Sequence, residues 1–304
     1  MHARKRERAG RASRSVDAVL REARSRLHAA GIGEASLDAR RLVAHALGTE
    51  PSRLVLEGRR LVGSEMAAAI DRLVAKRLEG WSVARLVGRR AFHGIDLLVA
   101  PDVLEPRDDT GALVDLVLDH AQVLARRRDG PVRLLDIGTG SGAVALACLA
   151  AEPRLVAIGT DLSDDALALA GRNALNGGVA DRFRAVRADL ARHLSGTAGG
   201  RFDIVASNPP YIPTAEITSL APEVLRDPTL ALDGGEDGLD IYRRIAAELP
   251  QVVAPDGVLA VEIGAGQGEG VRAIMRGAGW REIEARADLG GHERALAFRP
   301  EGAA

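Results

Sequence analysis

The sequence predicts two folds in tandem: a small all-helical domain, then an α/β domain whose sheet is mostly parallel. Three observations carry this. From Ser15 to about Gly80 apolar residues recur at three- and four-residue steps with no strand signal between them. Beyond Pro106, short apolar runs of strand length alternate with longer helical ones, the pattern of a parallel sheet with helices on both faces. At 304 residues the chain has room for two domains of ordinary size.

The helical part opens with Val16, Val19, Leu20, Ala23 and Leu27, closed by Gly31. Ala39, Leu42, Val43, Ala46 and Leu47 continue the pattern to Gly48, and Met66 to Leu78 repeats it after Ser64, a candidate N-cap. Val83 to Val99 alternates, with Gly88 and Gly94 between short apolar runs, and reads as a hairpin-like connector. A helix from Thr110 to about Arg126 then leads into the strand Val132–Ile137 and the helix Ala143–Ala151. The alternation continues through Leu155–Gly159, Ser163–Leu175, Arg184–Arg187, Ile204–Ser207, Ile241–Leu249, Val258–Ile263 and Gly268–Ala278. It ends in a strand pair near Ile283 and Ala295–Phe298. The expected organisation is a basic tail over 1–14, a helical domain over 15–80, a connector over 81–106 and the α/β domain over 107–304.

Composition narrows the class. Apolar residues are 46% and charged residues 27%, close to soluble globular averages, which excludes wholesale disorder. A formal charge of −1 argues against a chain that coats nucleic acid over its whole surface. Basic residues are nearly all Arg, with Lys only at Lys5 and Lys76, as codon bias in a GC-rich genome would give. From Arg4 to Arg26 basic residues outnumber acidic ones about three to one, yet Glu7, Asp17 and Glu22 count against a mitochondrial presequence. The one cysteine, Cys148, forms no internal disulfide and reads as a buried structural thiol in a cytoplasmic protein. No run of eighteen apolar residues offers a membrane span.

The first chemical signal is Asp136-Ile137-Gly138-Thr139-Gly140-Ser141-Gly142, between a buried-looking strand and a helix. Glycines there permit a tight turn and let backbone N–H groups approach a ligand. The turn has no Lys, which a phosphate-binding loop would carry. Asp161 ends the next strand, where a carboxylate can accept both hydroxyls of a ribose. A ligand with an amine and a ribose but no phosphate fits: S-adenosylmethionine. Asp136 then lies near its ammonium, Asp161 holds the ribose, Asp189 meets the adenine amine and Leu190 packs on the ring. A dinucleotide-binding domain is the alternative that this turn alone leaves open.

The second signal is Asn208-Pro209-Pro210-Tyr211, just past the strand that begins near Phe202. Two prolines cannot donate to a sheet and they stiffen the chain where open parallel sheets bind ligands. A delocalised amide or aromatic-amine nitrogen is a poor nucleophile. The Asn208 side-chain oxygen and the Pro209 carbonyl could each accept one of its hydrogens, aiming it and stabilising the positive charge that develops on it. Tyr211 offers a π face to the planar group.

With these residues in view, the chain resembles the protein-(glutamine-N5) methyltransferases of the HemK/PrmC family. Asp136–Gly142, Asp161, Asp189-Leu190, Asn208–Tyr211 and Ala231-Leu232-Asp233-Gly234-Gly235-Glu236-Asp237-Gly238-Leu239 carry the likeness, which runs from about Ser15 to Pro300. It implies an α/β, Rossmann-like class I S-adenosylmethionine-dependent methyltransferase domain with a small N-terminal helical domain that recognises the protein substrate. It further implies a glutamine amide in the Gly-Gly-Gln loop of a peptide chain release factor as acceptor, at or near the ribosome, with no membrane and no sequence-specific nucleic-acid partner. By position, Gly138, Thr139, Gly140, Ser141, Gly142, Asp161, Leu190 and Asn208 contact the cofactor, and Asn208, Pro209, Pro210 and Tyr211 hold the acceptor amide and carry the catalysis. Three segments depart from the family pattern. Glu105-Pro106-Arg107-Asp108-Asp109-Thr110-Gly111 stands where Ile-Pro-Arg-Pro-(Glu/Asp)-Thr-Glu is usual, Trp81-Ser82 replaces the Pro before Val83, and Asp227-Pro228 replaces Glu-Pro.

Other residues receive plainer readings. His93, His193 and His292 lack metal-ligand spacing, so no metal is expected. Glu262, at a strand end, either lines the cleft or caps a turn. Arg85, Arg107 and Arg294 read as salt-bridged rather than as contacts to an anionic partner. Two competing functions remain at this point: N-methylation of an exocyclic base amine, which the eight aromatics and small front domain disfavour, and a non-catalytic relative that only binds its partner.

Overall fold

The computed structural model describes residues 14–192, 194 and 200–302 and divides into two units, one ending at Gly88 and one starting at Arg89. The basic stretch 1–13 and His193 lie outside the described residues.

In the first unit, β1 (Arg14–Ser15) leads into α1 (Val16–Ala29), where the Ser15 hydroxyl accepts from the Ala18 N–H as an N-cap. α2 (Ala35–Leu47) ends at Gly48 in the left-handed conformation. β2 (Leu61–Val62) pairs antiparallel with β1, a ladder too short to give any periodicity in the sequence. α3 (Ser64–Leu78) is capped by Gly63, so Ser64 is its first helical residue rather than its N-cap. α4 (Val83–Val87) is capped by the Ser82 hydroxyl, which accepts from the Arg85 N–H at 3.1 Å. The residue that stands in place of the usual proline therefore starts a helix by hydrogen bonding. The heptad-like faces meet in one core containing Val19, Leu27, Leu42, Val43, Ile70 and Val74. At its edge Asp38 accepts from Arg77 Nε at 2.7 Å, both side chains under 10% exposed.

The second unit starts with the hairpin β3 (Arg89–Phe92) and β4 (Ile95–Leu98). Its two-residue turn, His93 and Gly94, has both φ values positive, matching the twist of the strands. Segment 81–106 thus holds α4 in one unit and the hairpin in the other. Then follow α5 (Gly111–Arg127), β5 (Val132–Ile137), α6 (Ala143–Ala151), β6 (Leu155–Asp161), α7 (Asp164–Asn176), β7 (Phe183–Arg187) and β8 (Phe202–Ser207). Short 3₁₀ turns at Thr214–Ser219, Val224–Arg226 and Thr229–Ala231 precede α8 (Asp240–Glu248), β9 (Val253–Glu262), α9 (Gly268–Gly277), β10 (Trp280–Ala287) and β11 (Glu293–Pro300). The 3₁₀ turns went unpredicted because single turns carry too few residues to show a period. No helix among the described residues is long and apolar enough to cross a membrane.

The sheet order is β10-β11-β9-β8-β5-β6-β7. The five strands from β7 to β9 are parallel, and β11 and β10 run antiparallel at one edge. Strand alternation sorts the two faces. Leu134, Ile204, Ala206, Val258, Ala260, Ala295 and Ala297 share one core with α5, α6 and α7. Leu135, Val205, Leu259, Val261, Leu296 and Phe298 share the other with α8 and α9. Small alanines dominate the first face, where α6 is apolar nearly all round. Successive strands run outward from β5 through β6 to β7 and from β8 to β9, so the order reverses between β5 and β8.

Asp38→Ala should lower the unfolding free energy by about 3–5 kcal/mol, because it removes the carboxylate that pairs with the buried Arg77 guanidinium. Urea unfolding followed by circular dichroism measures this, and a loss under 1 kcal/mol would show the pair to be dispensable.

Candidate active site

At the reversal point the C-terminal ends of β5, β6 and β8 open onto a cavity of about 270 Å³, where open parallel sheets bind their ligands. Gly138, Gly140 and Gly142 follow β5 with φ of 69°, 55° and 85°. Three left-handed residues in five need glycine, and Gly138, Thr139, Gly140 and Ser141 of this turn line the cavity. A Cβ at Gly138 would meet nothing within 4 Å, whereas one at Gly142 would strike Leu146. On β6, Gly159 leaves the space that Thr139 fills, since a Cβ there would sit 2.7 Å from the Thr139 hydroxyl.

The acids of this region serve the backbone first. Asp136 is 1% exposed, and its Oδ2 accepts from the Thr139 hydroxyl at 2.7 Å and the Ala145 N–H at 3.3 Å. Burial pushes its pKa up to about 6, against the pull of those two hydrogen bonds. Such a carboxylate is short of a cation, and a ligand ammonium would supply one. Asp161 accepts from the Gly140 N–H through Oδ2 and the Ser163 N–H through Oδ1, both at 2.9 Å, tying the glycine turn to the start of α7. A carboxylate has four lone-pair sites, so capacity remains for two hydroxyls. Asp189 lines the cavity and accepts from Arg244 Nη2 at 2.8 Å. Leu190 also lines it, held at φ 53° by its loop, and its carbonyl accepts from the Thr160 hydroxyl at 2.9 Å.

β8 ends at Ser207, whose hydroxyl donates to the Ile137 carbonyl and joins it to β5. Asn208, Pro209 and Pro210 then line the same cavity as the glycine turn. Asn208 Nδ2 donates to the Thr110 hydroxyl at 3.2 Å. Tyr211 does not line the cavity: it packs into the α8/α9 core and its ring touches Gly264. Its main chain is gripped from two sides. Gln267 Nε2 donates to the Tyr211 carbonyl at 2.8 Å. The glycine-rich stretch lies against it so closely that a Cβ on Gly238 would fall 2.4 Å from that carbonyl, and one on Gly234 2.8 Å from its Cα. The 231–239 motif is therefore a backing for the diproline corner, joined to it through the Ile212–Asp233 bridge.

Three acidic departures from the family pattern, Glu105, Asp108 and Asp227, are each paired with an arginine. Glu105, 2% exposed, pairs with Arg90 Nη1, and Arg90 Nη2 pairs with Asp108, both at 2.9 Å. Arg107 pairs with Asp227, which also accepts from the Glu105 N–H. Arg294 is buried, bonded to Asp288 and to the Ile263 carbonyl, so Arg107 and Arg294 are structural ion pairs. Cys148 is buried and its thiol pushed to high pKa by burial. Among the described residues no cluster of three metal-ligating side chains occurs.

Sequence reading passed over several residues that build the site. Asn173, on α7, takes the Leu98 N–H and donates to the Leu98 and Ser141 carbonyls, bolting the hairpin to the glycine turn. Thr110, Arg244 and Gln267 act across 55 to 98 positions of sequence, and nothing local marks them. Glu262, read as lining the cleft or capping a turn, lies fully buried at the end of β9 and is not among the residues lining the cavity.

Comparison with known proteins places the chain in a family and a fold. The PrmC N-terminal domain family matches residues 18–88 and the methyltransferase small domain family residues 115–248. A release factor glutamine methyltransferase of Agrobacterium fabrum is 42% identical over 94% of this chain and 97% of its own. Another from Rhodospirillum rubrum is 42% identical over 90% and 82%, and one from Deinococcus radiodurans 37% identical over 93% and 98%. Among solved structures, the N-terminal domain of human METTL16 in complex with SAH shares the fold, with a TM-score of 0.51 and 16% identity over 84% of this chain and 93% of that one.

The strained charge of Asp136 yields a stability prediction. A carboxyl whose folded pKa is near 6 is penalised above that pH and unpenalised below about pH 4. Asp136→Asn should therefore stabilise the ligand-free protein by up to about 3 kcal/mol at pH 8 and by nothing at pH 4. Thermal unfolding at both pH values tests this, and equal effects at the two would contradict it.

Proposed function

The chain belongs to the release factor glutamine methyltransferase family, and from that premise we propose that it methylates the glutamine side chain in the Gly-Gly-Gln loop of a peptide chain release factor. One observation carries the reading: the glycine turn and the Asn208-Pro209-Pro210 corner line a single cavity. S-adenosylmethionine supplies an electrophilic methyl group on a sulfonium when it is bound there.

The residues divide the work. The backbone of Gly138, Thr139, Gly140, Ser141 and Gly142 cradles the amino-acid end of the cofactor, and Asp136 attracts its ammonium. Asp161 takes the ribose hydroxyls. Leu190 packs on the adenine, with Asp189 at its amine and Arg244 holding Asp189 in place. The two prolines hold Asn208 Oδ1 and the Pro209 carbonyl where each accepts one hydrogen of the acceptor amide. Fixed acceptors at both hydrogens would orient the nitrogen lone pair and stabilise positive charge as the N–C bond forms and the C–S bond breaks, after which the nitrogen releases one of its protons to solvent. Tyr211 acts from behind, through its anchored backbone, and its π face supports the corner. The helical unit recognises the release factor. The enzyme works in the cytoplasm, at or near the ribosome, and touches no membrane and no specific nucleic-acid sequence.

Purified protein and labelled S-adenosylmethionine should label a release factor, and a Gln→Ala change in the acceptor loop should abolish the signal. Label appearing on RNA or DNA in its place would overturn the assignment. Asn208→Ala should cut turnover by about 10³-fold while cofactor affinity, measured by calorimetry, stays within about threefold. A collapse of cofactor binding would show that Asn208 belongs to the cofactor site instead.

A further inference from the structure

We propose that the groove between α1 and α2 of the helical unit binds double-stranded RNA through its sugar–phosphate backbone, independently of base sequence. The inference goes beyond the methyl transfer and does not depend on it.

Charge is divided between the two units. Residues 1–88 carry 18 basic and 10 acidic side chains, whereas residues 89–304 carry 23 basic and 32 acidic ones. The formal charge of −1 for the whole chain thus conceals a cationic unit joined to an anionic one. A cationic surface of this kind draws in a polyanion. Folding leaves part of the charge unpaired. Arg14, Arg26, Arg60 and Arg77 are each matched with a carboxylate. Arg21, Arg24, Arg40 and Arg41 are exposed and meet no acidic partner among the described residues.

Helix geometry gathers these side chains. Arg21, Arg24 and His28 recur at three- and four-residue steps, so they lie along one face of α1. With Ser25 they form one wall of a groove of about 700 Å³, more than twice the volume of the catalytic cavity. The other wall is the start of α2, including Ser36. Arg40 stands one turn beyond Ser36, and Arg41 one turn beyond Leu37. Glu34 is the groove's single acid.

The lining selects the partner. A protein seated in the groove would need apolar and aromatic anchors at its centre. Leu37, 37% exposed, is the one large apolar side chain there. Single-stranded RNA is held by stacking its bases on aromatic rings. The one Phe, Tyr or Trp in residues 1–88 is Trp81, which does not line the groove and lies beside Lys76. What the groove offers is guanidinium, imidazole and hydroxyl. Arginine forks match phosphate oxygens, and the Ser25 and Ser36 hydroxyls can bond the ribose 2′-hydroxyls that an A-form helix displays in its shallow groove.

Binding of the full-length protein to a fluorescent RNA duplex of about 20 base pairs, followed by anisotropy across a salt series, tests this. Arg21→Glu with Arg24→Glu should weaken binding by about tenfold or more at about 0.1 M salt, and should flatten the slope of log Kd against log salt by about one to two. The milder pair Arg21→Gln with Arg24→Gln should move both quantities the same way. Arg172→Glu with Arg276→Glu makes an equal charge change at exposed arginines of α7 and α9. That control should change affinity by less than about threefold. Circular dichroism checks that every variant folds. Equal losses from the two charge-reversal pairs would reduce binding to net charge and overturn the proposal. So would a single-stranded oligouridine that binds as tightly as the duplex. Groove variants that keep their RNA affinity but lose affinity for a release factor would also overturn it, and would give the groove to the protein substrate.

Discussion

The site depends on backbone geometry at the ends of two adjacent strands. β5 and β8 are neighbours in the sheet, yet their connections leave in opposite directions, so no crossover covers the space above them. Each strand then continues in a conformation that ordinary residues do not support. β5 runs into three left-handed glycines, and β8 into two prolines that have no N–H to offer a sheet. The glycine turn at one end and Asn208, Pro209 and Pro210 at the other line a single cavity.

Holding these ends in place consumes most of the polar residues nearby. Thr139 bonds Asp136, Gly140 bonds Asp161, Ser207 bonds the end of β5, and Gln267 bonds Tyr211. The cost appears as two buried carboxyls with raised pKa, Asp136 and Glu262. Protein interiors exclude such charges unless something returns the loss. At Asp136 a cationic ligand would return it. Stability is given up where the chemistry needs charge without water.

Much of this was legible from the chain alone. The alternation beyond Pro106 specified the parallel sheet, and the glycine turn and the Asn208-Pro209-Pro210 corner marked residues that line the cavity, because backbone constraints are written in residue type. Side-chain roles were harder. Asp189 and Asp161 were read as ligand contacts, and each also has a protein partner that sequence could not reveal. Tyr211 was read as a π face toward the acceptor, while its ring packs into the core. Glu105 looked like an apolar position spoiled by a charge, until Arg90, fifteen residues earlier, proved to neutralise it. Thr110 and Asn173 were missed because their partners are 98 and 75 positions away, beyond the reach of any local pattern.

The central claim is that the corner at Asn208 and Pro209 presents two oxygens to the acceptor amide beside the cofactor. A crystal structure with S-adenosylhomocysteine and a Gly-Gly-Gln peptide tests it directly. The account predicts the glutamine Nε2 within about 3 Å of both Asn208 Oδ1 and the Pro209 carbonyl, with the cofactor sulfur on its open side. A glutamine bound elsewhere, or an Asn208 amide turned with its nitrogen toward the peptide, would contradict it.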